Sequence, residues 1–280
     1  MKGLIPKKNL PASLARRTAW AFLVFGRSVT AAQRCYVITY IRATFAAMSK
    51  IIAIGNQKGG TGKTTVTCLL ANALSQHPFN LRVFVADCDP QQSIIRRRLA
   101  DQQQTSEPAP YKVAFFNTLA EMQADIERLD REHDVVFLDL PGRLDTWRPT
   151  EQQETARFLQ YVDALLIPFC PGNYALESTL DYLKTVLKIA HLRKDNPRPM
   201  SVVGFVNLYE GGRTVDDRAL LDEVSEIQVL TKIKFLETRL QRYALFRAID
   251  TFTSFFDQSG TDRATLNITK FITEFKKAIL

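Results

Sequence analysis

The feature that most constrains the fold is a glycine-rich stretch, Lys58-Gly59-Gly60-Thr61-Gly62-Lys63-Thr64-Thr65, set between an apolar run and an amphipathic one. Clustered glycines let consecutive backbone N–H groups turn inward around an anion without a Cβ clash. A helix starting just after them aims its positive end at the same anion. In this setting Lys63 can neutralise the charge of a di- or triphosphate tail, and the Thr64 hydroxyl can ligate Mg²⁺. The strict Walker A spacing asks for a glycine at position 57, where this chain has Gln57. The loop is therefore a deviant form, with a second lysine, Lys58, at its rim. Gly59, Gly60, Thr61, Gly62, Lys63, Thr64 and Thr65 are the expected nucleotide contacts.

The surrounding pattern supplies the scaffold such a loop needs. Ile51–Ile54, Val83–Ala86, Val135–Leu138, Ala164–Pro168, Ser201–Val206 and Ile233–Leu236 are continuous apolar runs, as in strands covered on both faces. Helical periodicity lies between or after them, over Thr64–Leu74, Thr118–Leu129, Glu177–His191, Thr214–Val224 and Ala264–Leu280. Thr118 and Glu121 have capping-box spacing. The alternation predicts an α/β fold, doubly wound, with a mostly parallel sheet and helices on both faces. The polar stretches Asp101–Pro110 and Arg143–Gln153 are expected to be surface loops. In such a sheet, carboxylates at strand C-termini converge on the ligand crevice. Asp87 and Asp89 follow the second apolar run, in Asp87-Cys88-Asp89-Pro90-Gln91, and Asp139 follows the third. Any of them can hold a metal-bound water or orient an attacking one.

Composition divides the chain. Residues 1–47 contain eight Lys and Arg and no Asp or Glu, which accounts for the whole net charge of +8. Removing those eight from the 37 basic residues leaves 29 against 29 acidic. Arg16-Arg17 followed by the short apolar run Ala19–Gly26 has the outline of a twin-arginine signal, but export suits an ATP-consuming protein poorly. The expected organisation is a dispensable basic extension over 1–47 and a single ATPase domain over 48–280, with Met48 a candidate start that leaves 233 of the 280 residues. A basic arm touching DNA or lipid is the alternative for 1–47. No apolar run approaches the roughly 20 residues that span a bilayer. Cys35, Cys68, Cys88 and Cys170 form no C-x-x-C pair, so free thiols in a reducing compartment are expected.

These motifs together resemble the ParA/MinD family of deviant Walker ATPases. The resemblance runs from about Met48 to the C-terminus and is nearest to ParA-type members in Gly55–Thr65 and Asp87–Gln91. It implies ATP and Mg²⁺ as cofactors and a homodimer formed around nucleotide, with Lys58 reaching the partner's phosphates. It also implies that Lys58, Lys63 and Asp89 act in hydrolysis, that Thr64, Asp87 and Asp139 form the metal shell, and that Asn207 lies near the adenine. One departure is visible. The family usually has Asp-x-Pro-Pro or Asp-x-Pro-Ala after the strand carrying Asp139, whereas Gly142 follows Pro141 here, and the polar stretch to Glu154 is long.

ParA-type members bind DNA non-specifically and answer to a centromere-binding, ParB-like partner. The resemblance therefore implies a cytoplasmic, nucleoid-associated ATPase for plasmid, chromosome or mobile-element partition. Lys232, Lys234, Arg239, Arg242 and Arg247, with only Glu237 against them and Tyr243 and Phe246 interleaved, are the candidate phosphate-tracking residues. Lys184, Lys188, Arg193, Lys194 and Arg198 form a second basic cluster. Two alternatives remain open: a MinD-type membrane-surface ATPase using the terminal amphipathic helix, and a ParA-like ATPase that positions a protein assembly. An iron–sulfur reductase fails because Cys88 and Cys170 lack partners for Cys₄ ligation.

Overall fold

A computed structural model describes residues 48–142 and 155–280. The basic extension 1–47 and the stretch 143–154 lie outside the described residues. Seven strands form one parallel sheet in the order β3-β2-β4-β1-β5-β6-β7. They are β1 (Lys50–Ile54), β2 (Val83–Asp87), β3 (Lys112–Phe115), β4 (Val135–Asp139), β5 (Ala164–Phe169), β6 (Ser201–Val206) and β7 (Lys234–Phe235). The six runs expected from the sequence are all strands. Every residue of β2, β4 and β5 is buried, which is why those runs show no polar alternation.

The period of two reappears in which layer each strand residue meets. Ile51 and Ala53 of β1, Phe84 and Ala86 of β2, and Val136 and Leu138 of β4 join one core. Ile52 and Ile54, Val83 and Val85, and Val135 and Phe137 join the other. The first core is covered by α3 (Leu119–Glu132), α4 (Asn173–Leu192) and α5 (Val215–Thr231); the second by α1 (Lys63–Ser75), α2 (Ser93–Gln102) and α6 (Arg263–Ile279). Helices on both faces of a parallel sheet make the fold doubly wound, as expected.

Two elements escape the apolar periodicity. β3 is an edge strand with no fully buried residue. Helix α2 carries three consecutive arginines and buries only Ile94 and Arg98. The expected loop Asp101–Pro110 is accordingly shorter at its start, because α2 runs to Gln102. Asp139 thus closes the fourth strand rather than the third.

Helix ends separate structural from available backbone. Thr118 accepts from the N–H of Glu121 at the start of α3, as the capping-box spacing predicts, while the Glu121 carboxylate reaches one residue further back and accepts from the N–H of Asn117. Thr214 and Asp262 cap α5 and α6 in the same way. Such caps are each worth about 1 kcal/mol. Helix α1, after the glycine loop, has Gly62 at its N-cap, no side-chain cap and no acidic residue in its first turn. Its orphan N–H groups are left for an external anion.

Helix α6 turns its apolar stripe inward. Ile268, Phe271, Ile272, Phe275 and Ile279 are at most 6% exposed and pack on the sheet. Burial of each contributes about 2 kcal/mol. The apolar stripe of the terminal helix is therefore part of the core. Among the described residues no helix is long and apolar enough to cross a bilayer.

Candidate nucleotide-binding site

Parallel strands bring their C-terminal ends to one edge of the sheet, and that edge gathers the predicted chemistry. Asp87 and Asp139 are register partners on adjacent strands, and Ile54, just before the glycine loop, is the partner of Asp139 on its other side. Gly60 and Gly62 adopt φ of +76° and +85°, the left-handed region that an L side chain rarely enters. At Gly62 a Cβ would also stand 2.5 Å from the Asn207 amide nitrogen. Below the loop, the buried Asn56 donates through Nδ2 to the Pro168 carbonyl and to Thr179 Oγ1, both at 2.8 Å. Its Oδ1 accepts from the N–H of Lys58 at 3.0 Å. This buried side chain, which the sequence reading passed over, props the loop against β5 and α4.

The metal-site expectation can be tested on Asp139. It is 1% exposed, and Oδ2 accepts from the Thr64 hydroxyl at 2.9 Å. Oδ1 is buried with no hydrogen-bond partner. Burial raises its pKa to about 7, only partly opposed by the Thr64 bond and the Lys63 charge. A buried acceptor left unsatisfied costs roughly 1–3 kcal/mol, so this oxygen suits a cation. Mg²⁺ is usually held by one or two carboxylates, a hydroxyl, water and substrate phosphate, and Thr64 with Asp139 supplies the protein's share. Among the described residues no group of three His, Cys, Asp or Glu side chains could hold a metal by itself.

Asp87 is used differently from Asp139. It is fully buried, and Oδ1 accepts from the N–H of Asp89, while Oδ2 accepts from the N–H groups of Ile94 and Ile95. It thereby caps α2, whose own N-cap residue Gln92 offers no side chain. Burial raises its pKa against those three bonds. Its oxygens already accept three N–H bonds, which tie the Asp87–Asp89 turn to the start of α2. Asp89 itself is half-buried, and its Oδ1 accepts from the N–H of Gln91 at 2.8 Å.

Lys63 Nζ donates to the Lys58 carbonyl at 3.2 Å, and burial lowers its pKa against the pull of Asp139 and Asp89. Lys58 is exposed at the loop rim. Gly142, where the chain departs from the family pattern, lies close against the glycine loop. A Cβ there would meet Lys63 Nζ at 3.0 Å, the Gln57 carbonyl at 3.2 Å and the Asn56 carbonyl at 3.4 Å. A side chain at this position would ask the Lys63 ammonium to shift by a few tenths of an ångström.

A cavity of about 470 Å³ opens beside the loop, between Gly60, Gly62, Thr65, Asn207 and the segment Arg242–Arg247. Asn207 follows β6 and donates through Nδ2 to the Thr61 carbonyl at 2.8 Å, while its Oδ1 is buried without a partner. Tyr243 and Phe246 stand edge to face at 5.8 Å on the far wall. The size and mixed lining suit a base and ribose. The wall includes a five-residue 3₁₀ turn, Ala244–Ala248, which apolar periodicity did not signal.

The candidate basic patch is spread over two places. Arg242 and Arg247 line this cavity, and Arg242 pairs with Glu210 at 3.3 Å. Arg239 lies over the Tyr209 ring at 5.3 Å. Lys232 ends α5 in the left-handed region and Lys234 begins β7, before the chain crosses to the site edge. All five are exposed. The second cluster loses two members: Arg193 is buried and donates to the Leu159 and Val162 carbonyls, and Arg198 pairs with Asp163. Both hold the opposite end of the sheet together.

An open helix N-terminus after a glycine loop, a strand-end carboxylate bonded to the first-turn threonine, and a base-sized cavity define a P-loop nucleotide-binding protein. Residues 52–243 match the CobQ/CobB/MinD/ParA nucleotide binding domain, and the chain belongs to that family. Maintenance of carboxysome distribution protein A from Halothiobacillus neapolitanus is 26% identical over 196 residues, 70% of this chain and 81% of that protein. The fold is similar to a plasmid partition protein from Borrelia burgdorferi bound to AMPPNP, with TM-score 0.57 and 17% identity over 83% of this chain and all of that one. It is also similar to Cyanothece McdA in complex with ATP, with TM-score 0.59 and 14% identity over 82% of this chain and 96% of that one.

Proposed function

We propose that this chain is a ParA-type ATPase. It binds ATP with Mg²⁺, pairs with a second copy through Lys58, and in that state holds DNA until a ParB-like partner triggers hydrolysis and release. The observation that carries the reading is the unpartnered buried oxygen of Asp139, set beside Thr64 and Lys63 under an uncapped helix. Family membership supports nucleotide binding.

In this reading the N–H groups of Gly59–Thr65 and the Lys63 ammonium hold the phosphates. Thr64 and Asp139 would hold Mg²⁺, which would offset phosphate charge. Asp89 orients the attacking water, and Lys58 of the second copy meets charge that builds on the transferred group. Such a lysine acts as an arginine finger does, an effect of roughly 10³–10⁵ in rate in the best-studied cases. Water adds to the γ-phosphorus and ADP leaves, giving phosphate. The protein works in the cytoplasm, on nucleoid DNA.

A second reading, in which the ATPase positions a protein assembly, is favoured by the name of the carboxysome-distribution relative. DNA co-sedimentation with and without ATP, beside liposomes, tests the proposal. ATP-dependent retention on DNA that falls in the Arg239→Ala/Arg242→Ala double variant supports it. ATP-independent retention, or binding to liposomes alone, overturns it. Light scattering then tests the dimer: Lys58→Ala is expected to bind ATP yet stay monomeric.

A further inference from the structure

The base-side wall of the cavity and the Asp87–Asp89 turn belong to distant parts of the chain. The wall, Arg242–Arg247, runs into Ile249 and then Asp250–Thr253. The turn runs into α2. These continuations meet in a buried polar knot. Arg98 on α2 is 6% exposed and Thr251 is fully buried. Arg98 donates through Nε to Thr251 Oγ1 at 2.8 Å and through Nη2 to the Thr251 carbonyl at 3.1 Å. The same hydroxyl donates to Asp101 Oδ2 at 2.8 Å, and the N–H of Thr251 reaches that oxygen at 2.8 Å. One hydroxyl thus sits between a cation and an anion of the same helix and uses both its donor and its acceptor capacity. The guanidinium is sandwiched, 4.4 Å from the Tyr111 ring and 5.1 Å from the Phe252 ring.

The helix after the glycine loop grips the same segment. Asn72 of α1 donates to the carbonyls of Asp250 and Thr253, both at 2.9 Å. Four consecutive residues of an irregular segment are therefore tied to both helices that leave the site. Simple core burial does not call for this. An arginine in an apolar core is expensive unless its donors are matched, and here Nε and Nη2 are matched by Thr251 while Nη1 donates to the Tyr111 carbonyl at 2.6 Å. A satisfied buried network is rigid and transmits displacement rather than absorbing it.

We propose that Arg98, Thr251 and Asp101 form a strut that couples occupancy of the base cavity to the placement of Asp89, making them positioning residues for hydrolysis. This rests on the reading of Asp89 as the group that orients water. Filling the cavity fixes the wall, the wall fixes Thr251, and Thr251 fixes α2, whose first turn is bonded to Asp87.

The test uses the full chain, Thr251→Val, which keeps the side-chain shape and removes the hydroxyl, and Thr251→Ser, which restores it. Amide hydrogen exchange is followed with and without AMPPNP and Mg²⁺, and turnover is measured with ATP. In the wild type, nucleotide is expected to slow exchange over both 242–249 and 87–95. In Thr251→Val the slowing is expected to persist over 242–249 and to be lost over 87–95. Turnover should fall roughly ten- to a hundredfold, the scale on which small misplacements act, while nucleotide affinity moves less than about threefold. Thr251→Ser should recover both. Nucleotide-dependent slowing over 87–95 that survives in Thr251→Val overturns the proposal. Should Thr251→Val fail to fold, Asp101→Asn asks the same question by the same exchange readout. A wild type that shows coupled slowing yet no turnover refutes the ATPase reading and leaves the strut standing.

Discussion

The two ends of the central strands both bury carboxylates, and they treat them in opposite ways. At the end away from the glycine loop, Asp163 accepts from the N–H of Ile51 and from the Arg198 guanidinium on both oxygens. Arg198 also bonds the Ser49 carbonyl, so the start of β1, the start of β5 and the approach to β6 are joined. At the loop end, Asp139 keeps one buried oxygen without a partner and has its pKa lifted to about 7. The first carboxylate is complete within the fold. The second is complete only when something else arrives. A buried charge says little about function until its partners are counted.

The largest expected effect tests the open end. Lys63→Ala should weaken binding of a fluorescent ATP analogue by roughly a hundredfold or more, the scale of a lost charge-assisted contact to phosphate. Affinity within threefold of wild type would mean that phosphate is not held there. Next is the closed end. Asp163→Ala leaves the N–H of Ile51 without its acceptor and Arg198 with the Ser49 carbonyl but not its paired carboxylate, at a cost of about 3 kcal/mol in urea unfolding. Nucleotide affinity of the folded protein should be unchanged, and a selective loss of affinity would erase the contrast.

Asp139→Asn sharpens the comparison because its two effects have opposite sign. The folded pKa lies above the ordinary carboxylate value, so the nucleotide-free protein resists ionising this group. Its stability is whole below about pH 4 and declines as pH rises from there towards 7, by about 1 kcal/mol per pH unit. The asparagine variant escapes that decline and should melt higher than wild type at pH 8 without nucleotide, while losing magnesium-dependent nucleotide binding. In the wild type, binding below pH 7 should release a proton, seen by calorimetry in buffers of different ionisation enthalpy. The smallest effect is a control away from both ends. Thr118→Ala removes the α3 cap and should cost about 1 kcal/mol without moving affinity.

The glycine loop, the strands and the main helices were legible in the sequence because each is a local or periodic signal. Gly60 and Gly62 occupy the left-handed region, and the central strands are buried on both faces. β3 and α2 were not legible. An edge strand and an arginine-rich helix bury too little apolar surface to show a period. The expected roles of Asp87 and Asp139 also differ in a way no motif encodes, since the capping of α2 by Asp87 depends on where a helix that begins six residues later turns back.

Sequence alone thus determined the phosphate loop, the doubly wound architecture and the family, because these rest on spacing within short segments and on continuous apolar runs. Tertiary structure decided which charges are spent and which are kept. It assigned Arg193 and Arg198 to the closed end, placed Arg242 and Arg247 on the cavity wall, buried the stripe of α6, and brought Thr251 between Arg98 and Asp101. Each depends on contacts between residues far apart in the chain, whose distances no local pattern records.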